Sequence, residues 1–91
     1  VDPSTPHSWN SLGNLKLLLK DEDGARASYD TALRIEPGLH QAWFNLGVLE
    51  RRRRDFDASA AAFRRAIALS PHYEHAYESL GMLYYRMGKT A

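Results

Sequence analysis

Hydrophobic and polar positions along the chain repeat with a period of 34 residues. Each unit places an aromatic residue three positions before Leu-Gly, followed further along by a second aromatic residue, an Ala and a Pro. The matched positions are Trp9, Trp43 and Tyr77; Leu12, Leu46 and Leu80; Gly13, Gly47 and Gly81; Tyr29 and Phe63; Ala32 and Ala66; and Pro37 and Pro71. Such self-similarity indicates one supersecondary unit used repeatedly. The units cover residues of about 6–39, 40–73 and 74–91, and the third holds only the first half of the pattern.

Apolar residues three and four apart predict two helices in each complete unit and no strand. In the first unit, Thr5 is the expected N-cap, Pro6 occupies the first helical position, and Pro37 prevents growth beyond about residue 35. The carboxylates of Asp21, Glu22 and Asp23 favour the start of the second helix, because its amino end carries a positive partial charge. Predicted helices span about 6–19, a second ending near 35, then 40–53, 56–69 and 74–87, the last ending at Gly88.

A glycine inside the first helix of every unit predicts a close approach between the paired helices. Glycine within a helix costs about 1 kcal/mol relative to alanine, so its recurrence at one position implies a packing reason. We expect Ala25 to face Gly13 and Ser59 to face Gly47. The side chains expected in the core are Trp9, Leu12, Tyr29, Ala32, Leu46, Phe63, Ala66 and Leu80.

The composition is that of one small folded domain, with 44% hydrophobic and 25% charged residues among 91. A net charge of +1 argues against a nucleic-acid binder, and no stretch approaches the ~20 apolar residues that cross a bilayer. The chain has no cysteine, which excludes disulfides and thiolate chemistry. This leaves the compartment open, and a soluble, cytoplasmic location is slightly favoured.

No pattern of residues indicates catalysis, a cofactor or a metal. A nucleophile motif and a glycine-rich phosphate loop are both missing from the sequence. His72 and His75 are three residues apart, but no acidic residue or cysteine completes a metal-ligand set at fixed spacing. We therefore expect a chain that is not an enzyme and holds no metal.

Four consecutive arginines, residues 51–54, form the strongest run of charge. They fall at the end of a predicted helix, where cations are favourable, and we expect Asp55 and Asp57 to neutralise part of the run. A nuclear-import signal or a patch for an acidic partner is the alternative. Arg51 differs from the others because its repeat position points toward the surface formed by the first helices.

The period and the order aromatic, Leu, Gly, aromatic, Ala, Pro resemble the tetratricopeptide repeat family from Pro6 to the end of the chain. The family usually places Tyr three residues after the Gly, where this chain has Lys16, Glu50 and Tyr84, and Ser59 replaces its usual Ala. The resemblance implies a single all-α domain over residues 1–91, in which helix-turn-helix repeats stack as a right-handed superhelix. It also implies a non-catalytic scaffold that holds another protein or a peptide segment in a concave groove lined by the first helices.

Helical geometry places positions three to four apart on the groove face. We expect apolar side chains and amides on this face. Amides can pair with both the N–H and the C=O groups of an extended peptide, and the apolar side chains can contact its side chains. The groove residues we expect are Asn10, Asn14, Gln41, Phe44, Asn45, Val48, Arg51, His75, Glu78, Met82 and Tyr85. Some family members clamp a terminal carboxylate with Lys, Asn, Asn, Lys and Arg; those positions here hold Asn10, Asn14, Asn45, His75 and Ser79, so the cations are absent.

Two alternatives to a peptide-binding groove stay open. The repeats are either a spacer or self-assembly unit of a longer solenoid, or a regulatory domain attached to an enzyme. The apolar face of the third-unit helix, with Tyr77, Tyr84 and Met87, is followed by no later helix in this sequence. Either a further helix of a longer protein or a second copy covers it, and we expect self-association at these residues. The identity of the partner is not encoded in any motif.

Overall fold

The computed structural model describes residues 5–88, which form five α-helices and contain no strand. The helices are α1 (Pro6–Leu18), α2 (Glu22–Ile35), α3 (His40–Arg52), α4 (Phe56–Leu69) and α5 (Glu74–Arg86). These bounds confirm the all-α architecture and lie within about one residue of those predicted from the sequence. The end of the third unit, residues 89–91, lies outside the described part of the chain.

Short side-chain bonds set the amino ends of three helices. The hydroxyl of Thr5 accepts the backbone N–H of Ser8 before α1, as predicted. Asp21 caps α2 by accepting from the N–H of Gly24, and Asp55 caps α4 in the same way. Each second helix therefore begins at an aspartate, one period apart.

The turn that follows each first helix contains a residue in the left-handed backbone region. Lys20 and Arg54 both have φ of 64°, and Gly88, one further period along, has φ of 78°. Only glycine adopts this conformation without steric cost, so two of the three turns carry mild strain.

The helices pack in chain order as antiparallel pairs. α1 pairs with α2, α3 pairs with α4, and α5 lies on α4, while α2 also contacts α3. The resulting stack measures 43 × 27 × 17 Å. Within residues 5–88, no helix is long and apolar enough to cross a lipid bilayer.

The core lies mainly at the junctions between units. Leu49 of α3 packs on Ala25 and Tyr29 of α2, and Leu83 of α5 packs on Ala60 and Phe63 of α4. A further cluster joins Ala32, Leu39 and Ala42 between α2 and α3. We call the group of Ala60, Phe63 and Leu83, which joins the second unit to the third, the third cluster. Units thus stabilise one another by neighbour contacts.

Half of the predicted core is fully buried. Tyr29, Ala32, Phe63 and Ala66 are each 0% exposed. Partial exposure is found at the other four, Trp9, Leu12, Leu46 and Leu80. Trp9, Leu46 and Leu80 pack against the edges of the clusters rather than inside them. The centre instead contains Leu49 and Leu83, which the repeat comparison had not singled out.

The recurring glycine admits an aromatic ring, which corrects the expected partners. A Cβ on Gly13 would stand 2.5 Å from Cε1 of Tyr29, and one on Gly47 would stand 2.6 Å from Cε1 of Phe63. The atoms nearest to such a Cβ belong to the ring one turn further along the second helix, and not to Ala25 or Ser59. Ser59 has another role: its hydroxyl donates to the carbonyl of Gly47 at 2.6 Å.

Candidate functional site

Two asparagines join the first helices of the first two units. Nδ2 of Asn45 in α3 donates to Oδ1 of Asn10 in α1 at 2.9 Å. Asn10 is buried, with 8% of its surface exposed, and Asn45 is half-buried. This bond fixes the orientation of the Asn45 amide. The amide oxygen has no hydrogen-bond partner among the described residues, so it is available as an acceptor.

A third asparagine is held in the opposite sense. Oδ1 of Asn14 accepts the hydroxyl of Tyr29 at 2.6 Å, and Asn14 is exposed. Burial raises the pKa of Tyr29 to about 12, although the positive charge of Arg52 acts in the other direction. The phenol therefore stays protonated at neutral pH and keeps donating, so Asn14 presents its N–H donors outward.

The predicted apolar groove residues of α3 belong partly to the core. Phe44 lies 5.5 Å from Phe63 and 5.2 Å from Tyr73 between ring centroids. Both Phe44 and Val48 pack against the third cluster and are half-buried. Burial also raises the pKa of Tyr73. This part of the surface is consequently a firm wall made of packed rings.

The carboxyl end of α3 and the side of α5 line an open pocket of about 500 Å³, which we call the terminal pocket. It brings together three predicted groove residues, Arg51, Met82 and Tyr85. Met82 and Tyr85 are 69% and 79% exposed. Gly81, Leu83 and Arg86 complete the lining. Sequence reasoning missed Arg86, although it lies four residues after Met82 and so shares its face of α5.

The remaining predicted groove residues lie at the surface without a distinctive contact. Gln41 is half-buried on α3, and Glu78 is exposed on α5. His75 is exposed, and its ring lies 6.1 Å from that of Tyr73. Within residues 5–88, no cluster of three or more His, Cys, Asp or Glu side chains is arranged to hold a metal ion.

The arginine run is neutralised by a different set of acids from the one expected. Arg52 and Arg53 approach Glu22 to 3.9 Å, and Arg53 lies 3.3 Å from Asp23. The acidic turn of the first unit thus faces the end of α3, because antiparallel pairing places these segments at the same edge of the stack. Asp55 is occupied as the cap of α4.

Residues expected to self-associate differ in exposure. Tyr77 is 50% exposed. Tyr84 is half-buried, and its hydroxyl accepts a hydrogen bond from Nη1 of Arg64. Met87 is half-buried against the third cluster. A Cβ on Gly81, on the same helix, would meet no atom of the described residues within 4 Å.

Comparison with known families accounts for almost the whole chain. One family model, described as tetratricopeptide repeat, matches residues 23–74 and 44–91, and a second with the same description matches residues 6–38. No protein of curated function matches the chain significantly.

Solved structures with the same arrangement of helices include two crystal structures of MamA. Both are 20% identical to this chain and cover 97% of it, with TM-scores of 0.91 and 0.89. The chain spans about half of them, 52% and 48% of their lengths. At this identity the likeness shows a shared helical repeat fold.

Proposed function

We propose, since the chain belongs to the tetratricopeptide repeat family, that it is a non-catalytic scaffold which binds an extended segment of another protein along α1, α3 and α5. The observation that carries the proposal is the oppositely fixed pair of amides: Asn14 presents donors and Asn45 presents an acceptor.

An extended peptide offers alternating N–H and C=O groups that must be satisfied when they leave water. One fixed donor and one fixed acceptor on neighbouring helices suit this pattern, and their geometry is set before the ligand arrives. Preorganisation of this kind lowers the entropic cost of binding. The packed wall at Phe44 and the exposed Met82 supply apolar contacts for side chains of the same segment.

The positions that clamp a terminal carboxylate in some family members do not support that use here. Asn10 is buried, and its Oδ1 accepts an internal hydrogen bond from Nδ2 of Asn45. His75 and Ser79 replace the remaining cations. Binding through the peptide backbone is therefore favoured over capture of a terminal carboxylate at these positions.

The experiment is selection of twelve-residue peptides from a random display library, followed by fluorescence anisotropy with the best peptide carrying fluorescein. Asn45→Ala is expected to weaken binding about tenfold, because a buried peptide group left unpaired costs about 1–3 kcal/mol. Asp30→Ala, an exposed change on α2, is the matched control and should bind like the wild type. Helical circular dichroism of each variant checks that it is folded. If the bound peptide changed NMR chemical shifts only in α2 and α4, binding along α1, α3 and α5 would be contradicted.

Self-assembly is the second candidate, favoured by the open notch at Gly81. Gly13 and Gly47 each face an aromatic ring, whereas the same position in α5, beside the half-exposed Tyr77, faces no atom of residues 5–88 within 4 Å. A second copy that covers Tyr77, Tyr84 and Met87 would bury this face. Sedimentation equilibrium on the order of 100 µM tests it: Tyr77→Glu should reduce association, and His75→Glu, an exposed change two residues away and therefore on the opposite side of α5, should not.

A further inference from the structure

The terminal pocket combines exposed apolar side chains with two guanidinium groups. Arg51 reaches it from the end of α3, and Arg86 reaches it from the last turn of α5. Met82 and Tyr85 form the apolar part of the lining. Such a mixture differs from Asn14 and Asn45, whose amide side chains are uncharged.

Among residues 5–88, neither Arg51 nor Arg86 forms an ion pair, in contrast to Arg52 and Arg53. Arg52 and Arg53 face acidic side chains of α2, and the guanidinium of Arg54 lies 5.3 Å from the centre of the Phe56 ring. The end of α3 thus satisfies three of its four arginines internally and leaves the one that lines the pocket.

Acidic side chains on the same two helices do not compensate this charge. Glu50 precedes Arg51 but is buried and bound to Arg26. Glu78 and Glu74 lie eight and twelve residues before Arg86, which corresponds to about 12 and 18 Å along a helix. A carboxylate from outside the chain is therefore the group that best complements the pocket, and guanidinium pairs it with strong, directional hydrogen bonds.

The apolar half of the pocket favours a large side chain. Met82 is flexible and polarisable, and Tyr85 offers a broad ring face, so both adapt to an aromatic or branched aliphatic group. Gly81, which also lines the pocket, adds no side chain to it. Burying such a group also strengthens the adjacent ion pair, because water is displaced from it.

We infer, on the basis of the proposed function, that the terminal pocket selects partner segments in which an aspartate or glutamate stands next to a large apolar residue. Asn14 and Asn45 would hold the backbone of the segment, and Arg51 and Arg86 would determine which sequences bind.

Three fluorescein-labelled Gly-Ser peptides of ten residues test this selectivity. Their central pairs are Asp-Phe, Asn-Phe and Asp-Ser, and binding is followed by anisotropy and by NMR shifts of the labelled protein at up to millimolar concentration. The Asp-Phe peptide should bind about fivefold more tightly than either of the others, in line with an exposed ion pair and one apolar contact. Its shifts should centre on Met82 and Tyr85, and added salt should reduce the advantage over Asn-Phe.

Charge-removing variants locate the effect. Arg51→Gln and Arg86→Gln should each reduce the preference for Asp-Phe over Asn-Phe, while Arg34→Gln, an exposed arginine on α2, should leave it unchanged. Equal binding of Asp-Phe and Asn-Phe, or no binding of Asp-Phe at millimolar concentration, would overturn the inference.

Failure of this inference is distinguishable from failure of the proposed function. If library-selected peptides shift Asn45 and Phe44 but carry no acidic residue beside an apolar one, the groove stands and the selectivity is wrong. If no selected peptide binds on α1, α3 and α5, the proposed function itself is wrong.

Discussion

Oε2 of Glu50 accepts a hydrogen bond from Nη2 of Arg26 at 2.8 Å, and this ion pair joins α3 to α2 across the boundary between the first two units. The Glu50 side chain is 3% exposed, whereas that of Arg26 is 44% exposed. The second carboxylate oxygen of Glu50 is buried without a hydrogen-bond partner. The pair therefore contains an incompletely satisfied buried charge.

Arg26→Met should lower the free energy of unfolding by about 1–3 kcal/mol, below the ~3–5 kcal/mol seen for fully buried pairs because water reaches Arg26. The double variant Arg26→Met/Glu50→Met should recover most or all of the loss, since no buried charge is left unpaired. Urea denaturation of the wild type, both single variants and the double variant measures the coupling. Arg52→Met is the control for an exposed pair and should stay within about 0.5 kcal/mol of wild type. A double variant less stable than Arg26→Met would contradict the prediction.

Gly47→Ala and Gly81→Ala should have opposite effects on stability. At Gly47 the new Cβ would stand 2.6 Å from the Phe63 ring, so the helix pair must move apart, at a typical cost of about 1–3 kcal/mol. At Gly81 no atom in the described part of the chain lies within 4 Å of the new Cβ, so the higher helix propensity of alanine should stabilise by up to about 1 kcal/mol. Thermal denaturation of the two variants checks this prediction. If both variants were more stable than the wild type, or both less stable, the packing of the Phe63 ring against Gly47 would be disproved.

Stability should fall at high pH because of Tyr29. Its pKa is raised by burial to about 12, above the ordinary 10.0, so from pH 10 upward the unfolded chain loses the phenol proton while the folded chain retains it. Folding at these pH values therefore requires Tyr29 to take up a proton, and the stability that Tyr29 contributes is lost as pH rises from 10 toward 12.

Tyr29→Phe isolates this effect. The variant should be less stable at pH 7, since it lacks the hydrogen bond to Asn14, but should lose about 1–2 kcal/mol less than the wild type between pH 9 and 12. Urea denaturation across this range is the measurement. Parallel pH profiles for the two proteins would show that Tyr29 does not carry the dependence.

Lys20→Gly should stabilise the first turn. Lys20 has φ of 64°, a conformation that costs a non-glycine residue about 1–2 kcal/mol. Glycine removes that cost but adds freedom to the unfolded chain, so a net gain of up to about 1 kcal/mol is expected. Lys16→Gly, inside α1, is the matched control and should destabilise by about 1 kcal/mol. A midpoint of denaturation lowered by both changes would contradict the strain at Lys20.

The sequence alone predicted the order and limits of the helices. Helix signals are local: Thr5 caps α1, Pro37 follows α2, and apolar residues three and four apart mark each buried face. The 34-residue period supported these predictions, because the helix limits of one unit apply to the next unit 34 residues later. The family followed from the same residues.

Which side chains meet was decided by packing. The sequence indicated that a close approach occurs at Gly13 and Gly47, but it named the small residues rather than the rings of Tyr29 and Phe63, because the choice depends on how far one helix slides along another. The same slide, with the antiparallel pairing, gave Arg52 and Arg53 their partners on α2.

The burial of three equivalent leucines shows most clearly what the sequence determined and what the tertiary structure decided. Leu15, Leu49 and Leu83 occupy one position of the repeat, yet they are 52%, 0% and 1% exposed. The sequence determined that each lies on the same face of a first helix, since that follows from helical spacing alone. Only the tertiary structure decided which of them is removed from water, because a helix covers that face of α3 and α5 but not of α1 within the described residues.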